Sequence, residues 1–143
     1  MSKAINPMLL CDFYKTVHSD MINPKMTKSM SYYTPRMSRV KRWDKVVMFG
    51  VQMFCKTWLI DYFNENFFEL SEDEVVAEYT RVLDVTLGKG IYGTEKIRKL
   101  HRLGYLPIEI TALPEGTMVP VHVPMFGITN THDDFAWLPQ ALE

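Results

Sequence analysis

The sequence predicts an α+β fold, with helices packed on an antiparallel sheet, and three observations carry that prediction. Apolar residues recur at three-to-four spacing from Gly50 to about Phe68, and again from Val75 to Leu83. The period drops to two after Leu106, as in a strand. A Pro114-Glu115-Gly116 turn then divides the alternating runs, with proline preset for its second position.

The elements follow in order. Asp12 stands where an N-cap would, ahead of a short amphipathic stretch from Phe13 to about Met21 that Pro24 ends. Tyr14 and His18, four apart, share one helical face, and Phe13 and Val17 share another. Met30 to Arg36 has the aromatic and hydroxyl content of a strand, and Met37 to Lys45 reads as an exposed connection. From Gly50 to about Phe68 a long core-facing helix is expected, with Val51, Phe54, Trp58, Leu59, Tyr62 and Phe63 inward. Ser71 to Glu74 forms a capping box for a helix whose inner face is Val75, Val76, Tyr79, Val82 and Leu83, closed by Gly88 and Gly90.

Thr94 should cap a shorter helix through Leu103, with Gly104 as its left-handed terminator. Ile108, Ile110 and Ala112 then alternate with Glu109, Thr111 and Leu113. Thr117 to Val121 and Met125 to Thr129 read as two further strands, giving an antiparallel meander from Leu106 to Thr129. The expected sheet joins that meander to the strand around Tyr32 and Tyr33. A last helix is expected from Asn130 to Asp134 onward, with Phe135, Leu138 and Leu142 on one side and no cap or stop signal behind it.

Composition narrows the function. The 143 residues are 47% hydrophobic and 13% aromatic, values of a globular chain able to bury a core as one domain. A net charge of −1 gives no reason to expect nucleic acid as a partner. No apolar run of about 18 residues is present, so no membrane span is expected. The opening Met1 to Pro7 has too short an apolar stretch behind it for a secretory signal. Cys11 and Cys55 stand alone, without a CxxC or a Cys/His cluster, and read as reduced, partly buried thiols of a cytoplasmic protein.

Few residues suggest chemistry. Asp12, Tyr14, Lys15 and His18 fit a capped surface helix with one aromatic tucked inward. That is the default on spacing alone; the alternative is a flat tyrosine face for a planar ring, with the opposite charges of Asp12 and Lys15 beside it. Arg36, Arg39, Lys41 and Arg42 fit a solvated basic loop. Arg36, fixed behind Pro35, also suits a phosphate oxygen, where its fork makes two hydrogen bonds. Glu109 lies on the polar side of a strand and Glu115 in a turn, which argues against a carboxylate pair. Helix capping explains Asp133 and Asp134 beside His132 better than a metal does. The ten methionines read as core filler. No dinucleotide fingerprint, P-loop or nucleophile motif is present, and no catalytic or metal-binding residue is expected.

In this order, Leu9-Leu10, Asp12, Tyr14-Lys15 and His18, Ser31-Tyr32-Tyr33 and Arg36, and Phe49-Gly50-Val51-Gln52 form a signature. Leu106-Pro107-Ile108-Glu109-Ile110, Ala112, Pro114-Glu115-Gly116, Pro120, Asn130-Thr131 and Trp137-Leu138 complete it. The set resembles the N-terminal region of the nicotinamide phosphoribosyltransferase family, a type II phosphoribosyltransferase group. The Asp-x-Tyr-Lys element is shared with nicotinate enzymes, and the Leu-Pro-Ile-Glu-Ile run points to the nicotinamide branch.

The resemblance implies a reaction in which nicotinamide and phosphoribosyl pyrophosphate give nicotinamide mononucleotide and pyrophosphate in NAD salvage. Magnesium accompanies the phosphoribosyl pyrophosphate in the complete enzyme, and no cofactor is implied for this chain alone. It further implies a homodimer with active sites at the subunit interface. There Tyr14 stacks on the pyridine ring bound in the neighbouring subunit, Asp12 lies beside it, and Arg36 meets the donor's phosphates. The family's catalytic residues belong to a later α/β barrel that is absent here. Residues 1–143 are therefore expected to be an N-terminal domain, truncated or split before the barrel and inactive without the barrel half or a homologous subunit. Two alternatives stand beside this: a binding or regulatory module that pairs with a full-length phosphoribosyltransferase, and a decayed remnant.

Overall fold

A computed structural model describes residues 4–143; Met1, Ser2 and Lys3, which open the segment read for a secretory signal, lie outside the described residues. The architecture is α+β, with helices and antiparallel sheets and no barrel among the described residues. The chain divides into two compact units, one of residues 1–22 and 56–106, the other of residues 23–55 and 107–143. No helix among the described residues is long and apolar enough to cross a membrane.

The first unit is helical. A 3₁₀ turn, Pro7–Leu9, precedes α1, Lys15–Met21. The helix α3, Glu72–Leu87, and α4, Glu95–Leu103, pack on one another. Ser71 and Glu74 close the expected capping box, and Val75, Val76, Tyr79 and Leu83 are buried as the spacing predicts. At the end of α4, Gly104 takes a left-handed φ of 80°, which a side chain would resist, and its N–H donates to His101 O. Thr94 precedes α4 but its side chain makes no capping hydrogen bond. Phe63, Phe67, Ile97 and Leu100 complete the core. Asn6 is buried among them because its amide is satisfied, donating to Val75 O at 3.2 Å and accepting from Met8 N at 3.0 Å.

The long helix expected from Gly50 is helical but differs in pitch. A single α-turn, α2 (Val51–Phe54), opens it, and the chain then runs as π-helix over Cys55–Tyr62 and Asn64–Phe68. Bonding from i to i+5 takes more than 3.6 residues per turn, so side chains three apart drift off a shared face while those four apart stay near one. Phe63 is buried as expected, together with Phe67, whereas Phe54 and Trp58 are exposed, against expectation.

In the second unit, β5 (Phe126–Asn130) is the central strand of a three-stranded antiparallel sheet. It pairs with β1 (Met30–Tyr33), setting Met30 opposite Thr129, and with β3 (Ile108–Ala112), setting Ile108 opposite Asn130. A Cβ on Gly127 would stand 2.6 Å from Met30 Cε, so a larger residue at this crossing would make the flexible end of the Met30 side chain swing aside. The expected meander is not formed. The strand β4 (Met118–Pro120) leaves the sheet and pairs with β2 (Lys45–Val47), a strand that the basic composition around it concealed. The turn after β3 is the cause: Gly116 N donates to Met48 O at 2.8 Å and Met48 N to Thr117 O at 2.9 Å, drawing β4 onto the β2 ladder. Met48, Val119 and Met125 pack together beneath it.

The final helix is also shorter than expected. A 3₁₀ turn, Asp133–Phe135, is followed by α5, Leu138–Leu142, with Phe135 and Leu138 buried. His132, not an aspartate, is the cap: its Nδ1 accepts from Asp134 N at 3.2 Å. Asn130 ties this corner together. Its Nδ2 donates to Thr27 O and His132 O, and its Oδ1 accepts from Ser29 N at 2.8 Å.

Candidate functional site

The three residues singled out by the resemblance fall in different units. Asp12 and Tyr14 belong to the first and Arg36 to the second.

Around Asp12 the chain makes a tight turn into α1, with Lys15 N donating to Asp12 O at 2.8 Å and Thr16 N to Phe13 O at 3.1 Å. Asp12 is not the side-chain cap that its position suggested, because Tyr14 occupies the cap position in helical conformation. The Asp12 carboxylate instead accepts from the Tyr14 hydroxyl at 3.2 Å. The Tyr14 ring remains 55% exposed, so the inward-tucked reading of this aromatic does not hold. His18, one turn on, lies with its ring centroid 5.0 Å from that of Tyr14 at an angle of 51°. The shared face inferred from their spacing is thus formed.

Long-range contacts within the unit fix α1. Lys96 Nζ donates to Asp20 Oδ1 at 2.9 Å and also to Ser19 O. The Tyr79 hydroxyl donates to Thr16 O at 3.5 Å, and burial pushes its phenol pKa well up, keeping the donor proton in place. Burial likewise raises the Cys11 thiol, whose Sγ–H points to Met8 O, so thiolate chemistry is disfavoured there. Cys55 is raised for the same reason, and both thiols are free and partly buried, as expected.

Arg36 stands at the start of a loop whose two ends are tied to one corner. His122 N donates to Pro35 O at 2.8 Å, and Val121 N donates to Asp44 O at 2.8 Å. His122 makes this possible by adopting a φ of 69°, in the left-handed region. Between these ties lie Arg36, Arg39, Lys41 and Arg42 with no acidic residue, all exposed. The Arg42 guanidinium lies 5.9 Å from the centre of the exposed Trp43 ring. The base that Pro35 gives Arg36 carries one tertiary tie, the His122 hydrogen bond to the Pro35 carbonyl. Sequence reasoning missed His122, since a left-handed histidine leaves no composition signal.

The other candidates are structural. Glu109 is an exposed strand residue. Glu115 caps α2, its carboxylate accepting from Gly50 N at 2.7 Å and Val51 N at 3.1 Å. No group of three or more His, Cys, Asp or Glu placed to hold a metal ion occurs among the described residues. The second unit also holds an apolar cavity of about 430 Å³, walled by Tyr33, Met48, Phe49, Phe54, Met125 and Phe126. The rings of Tyr33 and Phe126 stack there at 4.9 Å.

No family model matches the chain. A search among characterised proteins does find a relative: nicotinamide phosphoribosyltransferase of Acinetobacter baylyi, 40% identical over 148 aligned residues. The alignment takes in all of this chain and 29% of the relative. The chain resembles nicotinamide phosphoribosyltransferase from end to end. Its helices and antiparallel sheet agree with the N-terminal α+β domain that the signature implied, and the chain spans under a third of the relative's length.

Proposed function

We propose that this chain is the N-terminal domain of a nicotinamide phosphoribosyltransferase, completed by a barrel portion and, in a homodimer, by a homologous subunit. The supporting observation is the similarity through the whole chain to a protein bearing that name. The half-exposed Tyr14 ring, steadied by Asp12 and His18, gives the reading a physical locus.

In the reaction, the bond from the sugar carbon to pyrophosphate breaks as the bond to the ring nitrogen of nicotinamide forms. The pyrophosphate leaves with the electron pair, and the carbon becomes oxocarbenium-like between them. Tyr14 stacks on the pyridine ring and keeps its nitrogen in line, a contribution of about 1 kcal/mol beyond burial. Asp12 holds the Tyr14 hydroxyl and sits beside the ring. Arg36, at the fixed base of its loop, grips phosphate oxygens of the donor with its two-pronged guanidinium. Magnesium enters with phosphoribosyl pyrophosphate as part of the substrate. The product feeds cytoplasmic NAD salvage.

The test is nicotinamide mononucleotide formation by the chain alone, then mixed with the remaining portion of the Acinetobacter baylyi relative. Turnover in the mixture alone supports the proposal, and Tyr14→Ala should then lower kcat/KM by about fivefold or more while the chain stays folded by circular dichroism. An unchanged kcat/KM in that variant would sink the stacking role. No turnover but tight binding to the intact relative would point instead to a regulatory module.

A further inference from the structure

We infer that His18 is a positioning residue, setting the tilt of the Tyr14 ring against which the pyridine lies; this rests on the function proposed above. Two observations point to it. The imidazole lies 5.0 Å from the Tyr14 ring at 51°, so the tyrosine has His18 at its ring and Asp12 at its hydroxyl. The second observation is a cost. His18 Nδ1 is fully buried and has no hydrogen-bond partner among the described residues.

A buried ring nitrogen without a partner weakens a fold, and an apolar ring of similar size would fill the same space without it. The nitrogen therefore adds nothing here, and what His18 contributes is its ring. What the imidazole supplies is a flat, short wall one helical turn from Tyr14. Tyrosine has two side-chain torsions, and a ring that must meet a planar ligand benefits when both are set beforehand. Asp12 restrains the far end of the side chain and His18 its near face, while 55% of the residue's surface stays open for the ligand.

The test uses the full chain reconstituted with the remaining portion of the Acinetobacter baylyi relative, with association verified by co-elution. Nicotinamide is varied at saturating phosphoribosyl pyrophosphate. His18→Ala, which removes the wall, should raise KM for nicotinamide about fivefold, the scale of one aromatic contact. Its kcat should stay within about twofold, because Tyr14 itself remains to hold the bound ring in line and only contact common to ground and transition states is lost. His18→Phe restores a wall and deletes the orphan nitrogen, so KM should return close to that of the parent and Tm should not fall. Ring-proton NMR shifts of Tyr14 should move in His18→Ala and stay near their original values in His18→Phe.

An unchanged KM in His18→Ala overturns the inference, as does a loss confined to Tm and active fraction. A His18→Phe variant as poor in KM as His18→Ala overturns it too, because the nitrogen would then matter and not the wall. Absence of product from the parent mixture is a different failure: it removes the proposed function, and this inference with it.

Discussion

Tyr14 and Arg36 are displayed by different physical means. In the first unit, Tyr14 leans on side chains: the Asp12 carboxylate at its hydroxyl and the His18 imidazole at its ring. The helix beneath it is held by Lys96 and by the buried Tyr79. In the second unit, Arg36 owes its base to backbone hydrogen bonds, Pro35 O and Asp44 O each accepting from the Val121–His122 corner. A site built on side chains is legible in sequence and sensitive to substitution. One built on backbone hides its supports, and most substitutions in it are silent.

That contrast can be broken hardest at the core of the first unit. Phe67 is wholly buried, with Phe63, Phe68 and His101 around its ring. Phe67→Ala should cost about 4 kcal/mol. Amide exchange across α3 and α4 should accelerate, and chemical denaturation should give a lower midpoint; an unchanged midpoint would mean that the ring is not a keystone there.

In the second unit the nearest equivalent is Asn130, buried and engaged at both ends of its amide. Asn130→Ala leaves Ser29 N and two carbonyls without that partner and should cost about 2–3 kcal/mol, visible as faster exchange in β1 and β5. Loss of protection confined to the Ser29 amide would show that the strand pairing does not depend on it.

A smaller effect sharpens the comparison most directly. His122 holds a left-handed φ, so His122→Val should cost about 1–2 kcal/mol and loosen the Arg36 loop, whereas His122→Gly should keep the turn. Protease cleavage between Arg36 and Arg42 measures this: faster cutting in the valine variant and little change in the glycine variant are expected. Equal cutting in all three proteins would mean that the corner does not hold the loop.

The smallest effect is one of pH. Hydrogen bonds from Arg102 and then Arg98 pull the Glu72 carboxyl down to about 2. A depressed carboxylate stabilises the fold above its unfolded pKa of about 4.3, and that contribution fades as pH falls toward 2. Glu72→Gln should flatten the stability profile between those values, and a profile of unchanged slope would show that the ion pairs are silent. The pair is solvent-accessible, so added salt should shrink it further.

Much of this molecule was legible because local rules and tertiary packing agree. The Ser71 capping box, the inner face of α3, the Gly104 terminator and the Tyr14–His18 face all rest on residues within one turn of each other. The failures share the opposite character. Pairing of β4 with β2 depends on Gly116 meeting Met48, 68 positions earlier in the chain, and no local pattern announces it. The π-helical stretch keeps an apolar period that its own pitch no longer honours. Asp12 was legible as a residue of interest but not as a partner of Tyr14, since capping and ring restraint call for the same carboxylate at nearly the same place.

The central position of β5 also governs how the chain is made. Synthesis delivers β1 long before its partner: Tyr33 must wait for Phe126. At 5–20 residues per second that is roughly 5–20 s on the ribosome. Throughout, a strand bearing Met30, Tyr32 and Tyr33 has its backbone unpaired, open to any neighbouring nascent chain. The β3 strand emerges into the same predicament. Both edges are sealed by one late event, so a ribosome that stalls before Phe126 would release a product prone to clump.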